Sequence, residues 1–516
     1  MQTLNSQFKA TANKMPEQTA LVINETKIEY GRLLEAILRL ASGLKSLGVR
    51  KGDRVAVMLP NVPHFIISYY SILELGAVVV PINIMFKKED IAYQLSDSGA
   101  KIFISWTGFK GHVLSAVQAS PSVKETLLLG EKIPRGTKSL TQIIAASRPF
   151  QDQVELGADD LAVINYTSGV ADIPLGAELT HAAISANATT CRDMYRITSQ
   201  EKVLAVLPLF HPLGQTLLMH TPFLAGATII LLPRFSIENI VKSILQNKVT
   251  FMAGVPGMYQ SLDEANVDWS GSVLKYCISY GGKLPEDTLR SFEEKANAII
   301  LKAYGLTEAG PVVSANRVHR DRKYQAVGLP VMGTEITIRN HQGEHLRPNH
   351  SGEIWVRSPS IMRGYYNHPE ETVKRLQDGW LFTGDMGYLD DEHYLYIQER
   401  KEDIILKDGF EIFPHEIEET LKQHHAISEV AVVGIPDATH GTEIKVYIVL
   451  KENEKASEEE LFQLCRGDLP LYKCPKNFEF CAELPKSPTG RILKRVLRNS
   501  ASAQRAENKT EEEKSN

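Results

Sequence analysis

The segment from Tyr166 to His181, YTSGVADIPLGAELTH, combines hydroxyl side chains and glycines in the spacing of a turn. Thr167 ends a short apolar strand, Val163 to Thr167, and Ser168 and Gly169 follow it. We expect the chain to turn there and continue toward a helix that begins near Thr180. Hydroxyls and backbone N–H groups in such a turn can bind phosphate oxygens. An isolated Thr-Ser-Gly is more often a capped turn, so the interpretation depends on other motifs.

A second motif, AYGLTEAG, spans residues 303–310 and contains Tyr304, Thr307 and Glu308. Alone, it would indicate a turn at a strand end with an exposed carboxylate. One carboxylate together with substrate phosphates is, however, sufficient to hold Mg²⁺. Two further segments add possible ligands for a sugar or phosphate, because FTGDMGYLD contains Asp385 and the basic stretch after it begins at Arg400.

The order and spacing of these motifs resemble the adenylate-forming (AMP-binding) superfamily. The same holds for GEIWVRSPSIMRGYY before Asp385 and RKEDIILKDGFEIFPHEIE after it. The resemblance covers roughly Glu17 to Arg498. Its texture is closest to the bacterial long- and medium-chain fatty acyl-CoA synthetases, as in LKSLGVRKGDRVAVMLPN and GAVVVPIN. It implies a ligase that uses ATP, Mg²⁺ and CoA on a fatty acid or related carboxylic acid.

The resemblance also implies roles for the residues of the nucleotide site. Tyr304 would stack on adenine and Thr307 would meet the phosphate. Glu308 would hold Mg²⁺. Asp385 and Arg400 would contact the ribose hydroxyls.

For the acyl side, the resemblance implies that His211 is a gate between nucleotide and acid, although a histidine between apolar residues is more often a core residue. Gly281 and Gly282 would form a wall beside the acyl group and the adenine. Lys283 replaces a small residue of the family there. It could narrow the pocket, offer a cation to the substrate or point to solvent.

The small C-terminal domain supplies the remaining residues implied by the resemblance. Glu402 falls at the family's hinge position, where a change of backbone dihedral is all that is required. Gly409 would allow a loop to approach the adenylate closely. Lys473, in LYKCPK, would lie near the path of CoA.

The phosphate turn departs from the family pattern at four positions: Val170, Ala171, Asp172 and Leu175. The family has Thr, Thr or Ser, Gly and Lys there, so two hydroxyls and one cation are lost and a carboxylate is gained. Two like charges about 4 Å apart repel by about 4 kcal/mol at an effective dielectric near 20. We therefore expect weakened binding of the polyphosphate.

A second departure lies in the last motif, LPKSPTGRILKR, where Arg491 stands at the position of a family lysine that contacts the carboxylate and the α-phosphate. A planar guanidinium is a poor substitute where one ammonium must sit between two oxyanions. Adenylation should therefore slow. Lys486 and Lys494 are expected to be solvated surface charges, although either could partly replace the missing lysine.

Hydrophobic periodicity predicts the architecture. Helix-like spacing alternates with short apolar runs over about 300 residues, which is typical of βα units and a parallel sheet. The predicted strands are Val55–Leu59, Val78–Ile82, Lys101–Ser105, Val203–Leu207, Thr228–Leu232, Phe251–Val255, Tyr276–Ser279 and Ile299–Lys302. From about Gly333, turn-rich segments predict a small antiparallel subdomain.

After Arg400, the pattern predicts a small α+β domain with helices at 415–422 and 457–465 and strands at 429–433 and 445–450. The predicted fold class is thus α/β, with a large N-terminal domain of stacked α/β sheets (1–399, subdomain about 333–399). A small C-terminal domain (400–500), which the resemblance implies is mobile, follows. Residues 501–516 contain almost no large apolar side chain and are predicted to be disordered.

Composition limits the possible functions of the 516 residues. A net charge of −5 gives no electrostatic footprint for nucleic acid. The five cysteines contain no C-x-x-C pair, so neither a disulfide framework nor a zinc site is predicted. The apolar run at 77–86 is interrupted by Pro81 and is too short to span a bilayer. A cytoplasmic protein is expected, with peripheral membrane contact and oligomeric state left open.

Three functions are compatible with these observations. The first is a working fatty-acid–CoA ligase (AMP-forming), slowed or specialised by its altered motifs. The second is a pseudoenzyme that binds nucleotide, acyl-adenylate or a protein partner without turnover. The third is transfer of the acyl group to a carrier-protein thiol or another nucleophile in place of CoA.

Overall fold

The computed structural model describes residues 3–167, 173–407, 410–437, 441–486 and 492–501. The chain divides into two compact units. Unit 1 comprises Met1–Ile336, Trp355–Phe382 and His393–Leu395. Unit 2 comprises Thr337–Ile354, Thr383–Glu392 and Tyr396–Asn516.

The α-helices are α1 (Leu4–Lys14), α2 (Tyr30–Ser46), α3 (Pro63–Glu74), α4 (Lys88–Ser98), α5 (Lys110–Gln118), α6 (Leu140–Ala146), α7 (His181–Met194), α8 (Pro212–Gln215), α9 (Thr221–Ala225), α10 (Ile237–Asn247), α11 (Pro256–Glu264), α12 (Glu286–Ala296), α13 (Pro369–Arg375), α14 (Pro414–Lys422) and α15 (Glu458–Asp468). A further helix covers residues 494–501 and is called the terminal helix below.

The strands are β1 (Thr19–Ile23), β2 (Thr26–Glu29), β3 (Arg54–Met58), β4 (Val78–Pro81), β5 (Ile102–Trp106), β6 (Glu125–Leu129), β7 (Lys138–Ser139), β8 (Leu161–Tyr166), β9 (Gly176–Thr180), β10 (Lys202–Ala205), β11 (Thr228–Leu231), β12 (Phe251–Gly254), β13 (Tyr276–Tyr280), β14 (Ile299–Gly305), β15 (Val312–Ala315), β16 (Leu329–Pro330), β17 (Glu335–Arg339), β18 (Gly352–Arg357), β19 (Leu376–Gln377), β20 (Trp380–Leu389), β21 (Leu395–Arg400), β22 (Ile405–Lys407), β23 (Phe410–Ile412), β24 (Ile427–Asp437), β25 (Gly441–Leu450) and β26 (Asn477–Phe480).

Unit 1 contains two large sheets. One has nine strands in the order β16-β15-β14-β13-β12-β10-β11-β1-β2, and the other has seven in the order β7-β6-β5-β3-β4-β8-β9. Their central strands are parallel and buried on both faces, as the continuous apolar runs predict. Buried Asn61 joins the sheets, because its amide donates to the carbonyl oxygens of Ala205 and Leu207, each at 2.9 Å.

Unit 2 contains a three-stranded sheet, β24-β25-β26, and the hairpin β22-β23. Its core is formed by apolar side chains of these strands and of α14 and α15, including Ile417, Val432, Ile448 and Leu461. The four consecutive residues Val430 to Val433 of β24 are all buried. Val430 and Val432 belong to this core, whereas Ala431 and Val433 belong to a second apolar cluster, as expected because successive side chains of a strand point to opposite faces.

The structure confirms the predicted α/β fold class, while the domain boundaries near 333, 399 and 500 stay predictions. The eight strands listed above match observed strands of unit 1 to within two residues at each end, except that β14 continues three residues further, to Gly305. Between β8 and the expected helix the structure has a further strand, β9, that was not predicted and that pairs antiparallel with β8. The helix does begin at His181, capped by the Thr180 hydroxyl. Residues 502–516 lie outside the described residues.

Two histidines of unit 1 are fully buried, and burial lowers the pKa of His181 to about 4 and that of His220 to about 3. Since both values lie below the usual 6.5, the unfolded chain binds protons more readily than the folded chain. The stability that each neutral histidine supports is therefore present above pH 6.5 and is lost as the pH falls toward 4.

We predict that the midpoint temperature of thermal unfolding decreases as the pH is lowered from 7 to 5. The effect of His181 alone should lower the free energy of unfolding by about 2 kcal/mol at pH 5. The fall should be smaller in His181→Gln. His112, exposed on α5, is the matched control, and His112→Gln should follow the wild type. Identical pH profiles for His181→Gln and the wild type would contradict the assignment.

Candidate active site

The phosphate turn is held at both of its described ends. At its start, the Thr167 N–H donates to the carbonyl oxygen of Leu175 at 2.9 Å, which extends the β8–β9 pairing by one step. Ser168, Gly169 and residues 170–172 lie outside the described residues. The Leu175 side chain is only 2% exposed. The position at which the family carries a lysine is therefore occupied by a buried aliphatic group that offers no cation.

A pair of tyrosines supports this turn from below. The Tyr166 hydroxyl donates to Asp97 Oδ2 at 2.6 Å, and burial together with that carboxylate raises the pKa of the phenol. The Tyr93 hydroxyl donates to the Pro174 carbonyl oxygen at 2.9 Å. Both hydroxyls are thus committed to holding the protein chain in place.

The second motif forms the end of β14 and a short 3₁₀ turn at Thr307–Ala309. A Cβ atom on Gly305 would lie 1.7 Å from the carbonyl oxygen of Pro311, so only glycine fits there. Thr307 is half-buried and Glu308 is 7% exposed. The Tyr365 hydroxyl donates to Glu308 Oε1 at 2.8 Å.

Tyr304 and the glycine wall come together because their strands are neighbours. β13 and β14 are parallel, with Tyr280 opposite Ala303, so Gly281 and Tyr304 both follow this register pair directly. Gly281 has φ +87°, and no atom lies within 4 Å of where its Cβ would be. Gly282 and Lys283 are exposed, which favours the solvent-facing alternative for Lys283.

Lys302 is a candidate functional residue that the motifs did not reveal. It is buried on β14, two positions before Tyr304, and its ammonium donates to the carbonyl oxygens of Leu284 at 2.9 Å and Tyr324 at 2.6 Å. Burial and the nearby charge of Lys283 lower its pKa to about 8. The sequence feature that could have revealed it is a lysine within an otherwise apolar strand. Lys302 holds the segment after the glycine wall against the Tyr304 strand.

His211 has a local structural role. It is half-buried, and its Nδ1 accepts the Leu213 N–H at 3.2 Å as the N-cap of α8. Burial lowers its pKa to about 4, so the ring is neutral near pH 7. This contact fixes the ring orientation, and the gate function stays a prediction.

In unit 2, the two residues implied for the ribose are paired with each other. Arg400 Nε lies 2.9 Å from Asp385 Oδ1, and the Asp385 side chain is almost fully buried. The Asp385 N–H donates to the Thr383 hydroxyl at 3.0 Å, which in turn donates to the carbonyl oxygen of Ile354 at 2.7 Å. Glu402, at the implied hinge, lies 3.8 Å from Arg400 Nη1.

Lys473 forms an ion pair with Glu416 of α14, and its side chain is largely buried. A role on the CoA path would therefore require this ion pair to open or to orient the ammonium. Gly409 and Arg491 lie outside the described residues, so their implied roles stay predictions.

The expectation that Lys494 is a solvated surface charge is wrong. Its side chain is 12% exposed and its ammonium lies 2.9 Å from Glu418 and 3.4 Å from Glu399. Burial acts to lower the pKa of Lys494, but Glu418, Glu399 and Asp403 raise it above the usual value. A buried ammonium held by two carboxylates is not available to replace the family lysine. Lys486, by contrast, is 41% exposed beside Glu429, as expected.

A metal ion would find one suitable carboxylate in the second motif. Among the described residues there is no group of three or more His, Cys, Asp or Glu side chains that could hold a metal by themselves. The single carboxylate of Glu308 fits Mg²⁺, which favours one or two carboxylates together with substrate phosphates.

No helix in the described ranges is long and apolar enough to cross a membrane.

Comparison with known proteins places these features in context. Residues 8–366 match a family model described as AMP-binding enzyme, and residues 416–491 match one described as AMP-binding enzyme C-terminal domain. A long-chain-fatty-acid–CoA ligase of Bacillus subtilis (strain 168) is 38% identical over 527 residues, covering 96% of this chain and 94% of the relative. A feruloyl-CoA synthase of an Amycolatopsis species is 32% identical over 491 residues, covering 94% and 96%.

Solved structures agree with this relationship. ATP-bound MatB from Rhodopseudomonas palustris is 28% identical with a TM-score of 0.88, covering 97% of this chain and 99% of that chain. The anthranilate CoA ligase AuaEII, in complex with anthranoyl-AMP, is 25% identical with a TM-score of 0.89, covering 98% of each chain.

The buried ion pairs of Lys494 predict a large stability effect. Lys494→Met leaves Glu399 and Glu418 as buried carboxylates without a cation, which should cost about 3–5 kcal/mol. The matched control, Lys486→Met, removes an exposed pair and should cost about 0–1 kcal/mol. The measurement is the urea midpoint of unfolding at pH 7. Equal shifts for the two variants would contradict the burial of Lys494, and Lys494→Met with Glu399→Gln should recover part of the loss.

Proposed function

The chain belongs to the family of AMP-binding enzymes, and from that premise we propose that it is an AMP-forming ligase that joins a fatty acid to CoA. The adenylate-forming acid–CoA ligase activity is that of the family. The fatty-acid specificity is the proposal. The observation that supports it best is the 38% identity, over 96% of the chain, to a long-chain-fatty-acid–CoA ligase.

In the proposed reaction, the acid carboxylate attacks the α-phosphate of ATP and pyrophosphate leaves. The CoA thiol then attacks the acyl carbon of the acyl-adenylate, loses its proton and displaces AMP to give the thioester. Mg²⁺, when bound, neutralises charge on the phosphates. Glu308, held by Tyr365, is the carboxylate that would bind it. Most of the catalytic effect in the first step would come from groups positioned around the developing charge.

The nucleoside end of ATP would be bound by the residues that match the family. Tyr304 offers an aromatic face beside the Gly281 turn, whose open side leaves space for a planar base. Asp385, with Arg400 at 2.9 Å, offers carboxylate oxygens to ribose hydroxyls. The Arg400 guanidinium is close enough to that carboxylate to hold it in position through a charge-assisted contact.

We further propose that adenylation is slow relative to thioester formation. Leu175 is a buried aliphatic residue at the lysine position, and the sequence has Asp172 where the family has glycine. Both changes act on the polyphosphate, which only the first half-reaction uses. Arg491 is a third change with the same direction. The same changes also support a second candidate function, in which turnover is lost completely and the protein binds nucleotide or acyl-adenylate.

The acid could also be aromatic. This alternative is favoured by the similarity to the feruloyl-CoA synthase, which is 32% identical over 94% of the present chain. Transfer of the acyl group to a carrier protein stays the third alternative, and it is separated from the first by the dependence of product formation on CoA. The substrate panel below discriminates among these possibilities.

The purified protein is incubated with MgATP, CoA and one acid at a time: a short-, medium- or long-chain fatty acid, or an aromatic acid. We predict that pyrophosphate is released fastest with one class of fatty acid. Acyl-CoA of the same acid should appear by mass spectrometry. Asp385→Ala is the control that should lose activity at least tenfold, because the ribose acceptor is removed. Fastest turnover with feruloyl-type acids would overturn the fatty-acid assignment, and binding of AMP without any turnover would favour the pseudoenzyme.

A further inference from the structure

The Glu308 carboxylate, which the proposed function assigns to Mg²⁺, has a buried neighbour outside the motif. The Tyr365 side chain is almost fully buried, and its hydroxyl donates to Glu308 Oε1 at 2.8 Å. The Met362 N–H donates to the Glu308 carbonyl oxygen at 2.8 Å. One short segment, residues 362–366, therefore contacts both the backbone and the side chain of Glu308.

The same segment is fixed to the exit strand of the phosphate turn. Tyr365 forms an antiparallel bridge with Ala177 of β9. On either side of the bridge, the Glu178 N–H donates to the Gly364 carbonyl oxygen at 2.9 Å and the Tyr366 N–H donates to the Gly176 carbonyl oxygen at 2.8 Å. The position of the Tyr365 phenol is thus set by β9.

A third contact fixes Tyr365 from its other side. Its backbone N–H donates to the Thr372 hydroxyl at 2.8 Å, and that hydroxyl donates to the His368 carbonyl oxygen at 2.9 Å. Because its backbone is held by both β9 and Thr372 and its side chain is almost fully buried, the tyrosine has little freedom to follow the carboxylate if the carboxylate rotates. It acts as a fixed donor.

A fixed donor restricts what the carboxylate can do. An ionised carboxylate has about four lone-pair sites, and the Tyr365 hydroxyl occupies one of those on Oε1. The remaining sites then point in defined directions. We propose that Tyr365 is a positioning residue that orients Glu308 toward a divalent cation shared with the nucleotide phosphates, an inference that rests on the proposed function. Partners of this kind commonly change metal affinity by about 10- to 100-fold.

The direct test removes the hydroxyl alone. Binding of Mn²⁺ is measured from the free-ion signal in electron paramagnetic resonance, with the full chain and α,β-methylene-ATP, for the wild type and Tyr365→Phe. We expect Mn²⁺ affinity to fall about tenfold, while affinity for AMP without metal is unchanged. Glu308→Gln should lose the site.

Tyr366→Phe is the matched control. Tyr366 is the next residue, and its side chain packs against the apolar core of the seven-stranded sheet. The Arg54 guanidinium carbon lies 5.9 Å from the centre of the Tyr366 ring. This variant should bind Mn²⁺ like the wild type. A second variant, Thr372→Ala, removes one of the contacts that hold the Tyr365 backbone without altering either group at the site, and it should weaken Mn²⁺ binding in the same direction but by less than Tyr365→Phe.

The outcomes separate the inference from the proposed function. Mn²⁺ binding by the wild type together with equal binding by Tyr365→Phe and Thr372→Ala would overturn the role of Tyr365 and leave the ligase proposal intact. Absence of Mn²⁺ and nucleotide binding in the wild type would overturn both. A loss confined to Tyr365→Phe and Thr372→Ala, with Tyr366→Phe unaffected, is the result expected of a positioning residue.

Discussion

Backbone hydrogen bonds of residues 362–366 hold two separate parts of the nucleotide site at fixed positions. On one side they pair with β9, the strand that leaves the phosphate turn, and on the other the Met362 N–H donates to the Glu308 carbonyl oxygen. The Tyr365 side-chain hydroxyl adds a bond to the Glu308 carboxylate. Tyr304 and Gly281 are placed separately, by the parallel pairing of β13 and β14. If this segment moved, the carboxylate and the turn would lose their common reference.

The residues of the two described regions have diverged in different ways. Tyr304, Glu308, Asp385 and Arg400, which the family resemblance assigns to the nucleoside and the cation, match the family pattern. Glu308 is buried and accepts a hydrogen bond from Tyr365, and buried Asp385 lies against Arg400. At the phosphate turn, by contrast, Leu175 has replaced the expected lysine and is buried. In the proposed ligase, the altered phosphate turn would act on the β- and γ-phosphates, and Arg491 would act on the α-phosphate and the acid. These differences are the basis of the proposal that adenylation is slow relative to thioester formation.

Much of the fold could be predicted from the sequence because the central strands are buried on both faces and so appear as continuous apolar runs. β9 was missed because GAELT is short and contains a polar residue, and only its pairing with β8 makes it a strand. Lys494 was misjudged for a related reason, since Glu399 and Glu418 are distant in sequence and no local pattern announces the contact. Motifs identified Asp385 and Arg400, but their pairing depends on neighbouring strands, β20 and β21.

The central claim is that this protein retains adenylate binding while its hold on the polyphosphate is weakened, and calorimetric titration with AMP and with α,β-methylene-ATP in excess Mg²⁺ tests it most directly. We expect the triphosphate analogue to bind no more tightly than AMP. A variant with five combined changes, Val170→Thr, Ala171→Thr, Asp172→Gly, Leu175→Lys and Arg491→Lys, should bind the analogue at least tenfold more tightly than the wild type and bind AMP with unchanged affinity. An analogue that binds the wild type much more tightly than AMP does would contradict the claim.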